Sequence, residues 1–180
     1  MDLSRYQPMR RSGALAPLGR VIAALDLVAA WVIIAMLVVM VNVVAAQVLL
    51  RYGLNSSIGW ADEISRLTFV WTIFLAIPLG VRAGVHIGMD IVLEKLPAVA
   101  RAGLIRLMAL VAAAMVALVA WQSVLLAADQ WDELMSSVNW SASWFIVPLA
   151  IGGMHSALHL LWIAVTGPTP VDPEFAKDID

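Results

Sequence analysis

Residues 21–50 read VIAALDLVAAWVIIAMLVVMVNVVAAQVLL. Only Asp26, Asn42 and Gln47 interrupt an otherwise apolar run. A bilayer hydrocarbon core about 30 Å thick is crossed by ~20 helical residues. The run exceeds that need, so a helix here must tilt or project beyond the core. Ala45-Ala46 loosely resembles a cleavage site, but the apolar segment of a signal peptide is usually ~7–15 residues long. The stretch is therefore read as an uncleaved transmembrane helix, and that reading decides the fold class.

The rest of the chain has the same character. Of 180 residues, 62% are hydrophobic and 13% are charged, and mean hydropathy is +0.90. Soluble domains are about half apolar and about a quarter charged. The expected fold is an all-α integral membrane protein with four transmembrane helices, at about 21–50, 58–81, 104–128 and 142–165. A basic leader (1–20) precedes them and an acidic tail (166–180) follows. Ser56 or Ser57 is placed to cap the second span, and Pro78 to kink its far end. Between the second and third spans, Ile91, Val92, Leu93 and Leu96 alternate at helical spacing with Asp90, Glu94 and Lys95. That pattern predicts an amphipathic interfacial helix at about 88–100, which Pro97 ends or bends.

Charge sets the orientation. Arg5, Arg10, Arg11 and Arg20, then Arg82, Lys95, Arg101 and Arg106, then Lys177 make nine of the eleven basic residues, all on one side of this topology. Arg51 and Arg66 fall on the other side with Asp62, Glu63, Asp129, Asp132 and Glu133. The positive-inside rule then puts both termini in the cytoplasm and the acidic loops outside. Trp60, Trp131, Trp140 and Trp144 mark the outer boundary and Trp162 the inner one. Trp31, Trp71 and Trp121 are read as packing residues.

Few groups here could carry chemistry. Absent cysteine excludes thiol catalysis, disulfides and thiolate metal sites. No nucleotide-binding loop or nucleophile–base pair is visible, so neither an enzyme nor a nucleic-acid partner is expected. Asp62 and Glu63 lie four and three residues before Arg66, so all three can share one helix face. They form a hydrated helix cap or, with Trp60, a partner-contact patch. Asp26 can sit near the inner headgroups, which would make it ordinary. Asn42 and Gln47 can hydrogen-bond between helices, at about 1 kcal/mol each. His155 and His159 have metal-ligand spacing, but no carboxylate is near in sequence, and interhelical hydrogen bonding is the preferred reading. Haem ligation by facing histidines would need a third, and His86 falls in a loop. Gly152 and Gly153, with Ala157, permit close helix approach.

The order of motifs adds a resemblance. Trp60-x-Asp62-Glu63-x-x-Arg66 is followed by Trp71-x-x-Phe74-Leu75, then Gly84-x-His86-Ile87-x-x-Asp90 and Leu96-Pro97, and later by SWFIVPLAIGG (143–153). This series resembles the small membrane subunit of tripartite ATP-independent periplasmic (TRAP) transporters, the DctQ-like family. Pro78 and Ser141-Ala142 depart from the family's usual pattern.

The resemblance implies a non-catalytic scaffold in a bacterial inner membrane. It would partner a large DctM-like elevator subunit and a periplasmic DctP-like binding protein, in sodium-coupled uptake of an organic anion. Sodium would bind in the large subunit, and this chain would hold no cofactor. Asp129, Asp132 and Glu133 are then candidate docking groups. The interfacial helix would brace the frame through His86, Ile91, Val92, Lys95, Leu96 and Arg101, beside membrane lipid. A membrane anchor of a haem or quinone redox enzyme is the alternative; a stand-alone small transporter is a third reading.

Overall fold

The computed structural model describes residues 16–82 and 97–167. Four long helices make up nearly all of it: α1 (Ala16–Gly53), α2 (Ala61–Arg82), α3 (Ala98–Asp129) and α4 (Val147–Thr166). A short 3-10 turn, Ala142–Phe145, leads into α4. All four are long and apolar enough to cross a membrane. In lipid, backbone polar groups must be satisfied within the segment, so helices are the form such sequences take. Of the expected interfacial helix, His86, Ile91, Val92, Lys95 and Leu96 lie outside the described residues.

The ends have local causes. After α1, the amides of Leu54 and Ser56 both donate to the Leu50 carbonyl, at 3.0 and 3.1 Å. Asn55 supplies the left-handed turn at φ 50°, a conformation asparagine tolerates well. The second helix starts later than a serine cap at 56 or 57 would have it. Its first turn is closed by Ile64 N–H on the Trp60 carbonyl at 3.1 Å, which leaves Ser56 and Ser57 upstream of the helix. Pro97, extended at φ −60° and ψ 147°, caps α3. Ala98–Ala100, expected at the end of the interfacial helix, therefore open α3 instead. Arg101 is exposed in that first turn, and its amide donates to Pro97 O at 3.0 Å.

The helices form a row in which α1 packs on α2, α2 on α4, and α4 on α3. The fourth helix is the most buried, and its small residues explain how it fits between two neighbours. A Cβ at Gly152 would run into the main-chain carbonyl of Phe74, and one at Gly153 would lie 3.0 Å from Ala120 Cβ. The Phe74 carbonyl is itself unusual. Its helical donor would be residue 78, and Pro78 has no N–H. Pro78 thus frees a carbonyl on α2, and Gly152 lets the backbone of α4 close over it. On the α3 side, Val81, Ala113 and Leu160 form a small buried core with Ala112, Val116 and Ile163 around it.

Candidate functional site

At the Arg82 end of the row, three polar side chains from two helices meet around one carboxylate on a third. Asp26, on α1, is 1% exposed. Its Oδ2 accepts from Arg82 Nη1 at 2.8 Å, and its Oδ1 lies 2.7 Å from His159 Nε2. A carboxylate only accepts, so the Nε2 of His159 carries the hydrogen and donates it here. His155 Nε2 is 2.9 Å from the same oxygen but is not directed along a hydrogen bond, and it has no other partner among the described residues. The two imidazoles lie side by side, with centroids 5.0 Å apart. Asp26 is far from an ordinary headgroup contact: it is the hub that ties α1 to α2 and α4.

The charges in this cluster balance. The Arg82 guanidinium and the Asp26 carboxylate cancel each other's charge. The ligand atoms of Asp26, His155 and His159 are close enough together to offer a metal three positions. Two features favour a hydrogen-bonded network over an ion. The nitrogen–oxygen distances are already those of direct bonds, and the Arg82 cation sits on the same carboxylate. For the histidine pair, the interhelical hydrogen bond expected from sequence is therefore present at His159.

At the opposite end, Glu63 organises a loop. It is 6% exposed, and its carboxylate accepts from the backbone amides of Ser136 and Ser137 at 2.9 and 2.7 Å. The loop is further pinned by Met135 N–H to Trp140 O at 2.8 Å, Ala142 N–H to Glu133 O at 2.7 Å, and Ser143 Oγ to Ala127 O at 2.7 Å. Trp71 Nε1 donates to Trp144 O at 3.0 Å, and the Trp71, Trp144 and Trp131 rings stack in series 6.1 and 6.3 Å apart. Trp71, half-buried near the middle of α2, is thus a packing residue, as expected.

The three charges of the WADEISR segment (60–66) separate rather than pair. Glu63 takes the loop amides, while Asp62 accepts from Gln47 Nε2 of α1 at 3.0 Å. Arg66 is exposed, with its guanidinium 5.3 Å above the Phe145 ring, and forms no ion pair with either acid among the described residues. Trp60, Asp129, Asp132 and Glu133 are all exposed at this end. Asn42 donates to Val38 O of its own helix at 2.7 Å, so it does not join helices as expected. Gln47 does.

Sequence comparison decides what kind of frame this is. Residues 40–167 match the DctQ component of tripartite ATP-independent periplasmic transporters. The chain belongs to the DctQ family. Two Haemophilus influenzae proteins, each described as a putative TRAP transporter small permease protein, are 39% identical over 64 residues and 36% over 61. Those alignments cover 36% and 34% of this chain and 40% and 37% of the relatives. The C4-dicarboxylate TRAP transporter small permease protein DctQ of Vibrio cholerae is 38% identical over 69 residues, 38% of this chain and 28% of that protein. The chain thus spans about two fifths or less of the curated relatives it matches. DctQ membership and four apolar helices make this a multi-pass membrane protein. The DctQ match contains Glu63, Arg82, His155 and His159 and begins after Asp26.

Proposed function

We propose that this chain is the non-catalytic small subunit of a TRAP-type secondary transporter, the fixed frame beside a large DctM-like elevator subunit. The observation that carries the reading is the DctQ match over residues 40–167. The geometry supports it in kind, because the polar groups are spent on bracing. Asp26, Arg82 and His159 lock three helices at one end, while Glu63 fastens the loop at the other. Ionisable groups inside spans often mark ion or substrate pathways; in this reading Asp26, Arg82 and His159, held by one another across three helices, serve architecture instead. Substrate and sodium then bind in the large subunit, and this chain holds no cofactor. Haem anchoring finds no support: both described histidines lie on one helix and face Asp26.

In this reading the chain sits in a bacterial inner membrane with both termini cytoplasmic. The loop end faces the periplasm, where Trp60, Asp62, Arg66, Asp129, Asp132 and Glu133 are available to the large subunit or a DctP-like binding protein. The cargo is an organic anion, consistent with the C4-dicarboxylate name of the Vibrio relative. The test is co-purification with a large TRAP subunit, followed by reconstitution with a matched binding protein. Sodium-driven anion uptake that needs all three proteins is expected. Uptake of undiminished rate without this chain would overturn the proposal.

A further inference from the structure

Arg66 raises a problem that the frame does not solve. It lies one turn inside the Gln47–Asp62 contact, within a helix long and apolar enough to cross a membrane. Neither neighbouring acid neutralises it, and its one described partner is the face of Phe145. A guanidinium carries five donors in a fixed fork. At the edge of a bilayer such a group turns toward the interface, where the abundant anion is lipid phosphate.

Beside Arg66, α1 and α2 leave a groove of about 600 Å³, lined by Met40, Val41, Val44, Ala45, Ser65, Arg66 and Phe69. The groove is shallow and open along its length, a shape that suits a chain lying on the helix surface. The helices are antiparallel here, so the groove has a direction. Its Arg66 end is next to Gln47 and Asp62, and its Phe69, Val41 and Met40 end points toward the middle of the helices. One cation at the boundary and an apolar floor running inward is the polarity of a phospholipid, phosphate first and acyl chain after.

We infer that the α1–α2 groove is a phospholipid site, in which the Arg66 guanidinium binds the headgroup phosphate and an acyl chain lies along Val44, Val41, Met40 and Phe69. The occupant is a bilayer lipid rather than a partner's helix because the only charged wall, Arg66, stands at the boundary end of an otherwise mostly apolar groove, where a phosphate sits above its acyl chain. The arginine forks suitably for two phosphate oxygens. The bound lipid lies along the α1–α2 seam and neutralises Arg66, which has no ion pair among the described residues.

The test is native mass spectrometry of the full-length protein, purified with stepwise delipidation and then titrated with palmitoyl-oleoyl phosphatidylglycerol. One tightly held lipid per chain is expected. Arg66→Gln should lower its affinity about tenfold or more, as loss of a charge-assisted contact does, whereas Arg66→Lys should keep most of it. Ala45→Trp, which fills the groove and leaves the charge, should also displace the lipid. Equal retention by wild type, Arg66→Gln and Ala45→Trp would mean unspecific annular lipid and overturn the site. So would a complex in which crosslinks from position 45 reach a partner protein and no lipid is retained.

Discussion

Asp26 and His159, 133 residues apart in sequence, meet at 2.7 Å through Oδ1 and Nε2 in the least exposed part of the molecule. Their contact ties α1 to α4, on either side of α2, at the Arg82 end. It carries the first prediction.

Asp26→Ala leaves Arg82 without its carboxylate and His159 without its acceptor. Breaking a buried pair from one side costs about 3–5 kcal/mol; Arg82, whose side chain is 21% exposed, lowers this toward the bottom of the range. Asp26→Asn keeps an acceptor and should cost less. Replacing Asp26 by Leu together with Arg82 by Met should recover much of the loss, because the stranded charge is then gone. Thermal unfolding in detergent reads all three, and equal melting temperatures throughout would disprove the hub.

Glu63 should matter to the loop more than to the helix that carries it. Removing the carboxylate leaves the Ser136 and Ser137 amides without their acceptor. Hydrogen exchange at Ser136 and Ser137 should therefore speed up at least about tenfold in Glu63→Ala. The middle of α2 should keep its protection. Unchanged exchange at these two amides would show that the loop is held by its own bonds.

Glycine substitutions separate packing from propensity. Gly152→Ala drives a methyl into the Phe74 carbonyl and should destabilise by about 1–3 kcal/mol, as overpacking does. Gly80→Ala and Gly103→Ala, each with open space at the Cβ position, should be neutral or stabilising by up to ~1 kcal/mol, since alanine is the better helix former. Equal effects at all three positions would refute the close approach of α2 and α4.

The acidic loop end offers a test of docking that is independent of stability. If Asp129, Asp132 and Glu133 steer a binding protein, neutralising all three should slow its association at low ionic strength. The variants should converge with wild type above about 0.5 M salt, where screening is nearly complete. A salt-independent difference, or none, would remove these residues from docking.

The four helices were legible because hydropathy is a property of each segment by itself, and the run at 21–50 needed no partner to be read. Side-chain pairing was not, because it depends on which helices become neighbours. Glu63 and Arg66 have an ideal local spacing, yet the loop amides of Ser136 and Ser137 outbid Arg66 for the carboxylate. His155 and His159 lacked a carboxylate nearby in sequence, so Asp26 went unpaired with them. One signal could have found the cluster: Asp26, His155 and His159 are ionisable residues inside otherwise apolar stretches of their spans, and each needs a partner there. The Pro78–Phe74–Gly152 fit was half visible, since a helix proline always frees a carbonyl, but which backbone covers it depends on the order of packing.

The first two helices are bridged by Gln47–Asp62 at one end and Asp26–Arg82 at the other. The rungs are 21 residues apart along α1 and 20 along α2, by subtraction of those residue numbers. At ~1.5 Å per residue both intervals are about 30 Å, the thickness of a bilayer's hydrocarbon core. The pair is a ruler with polar end-stops. A thinner bilayer cannot be met by sliding one helix along the other without breaking a rung, so the two must lean together. Membrane thickness thereby becomes a setting on the angle at which this subunit stands.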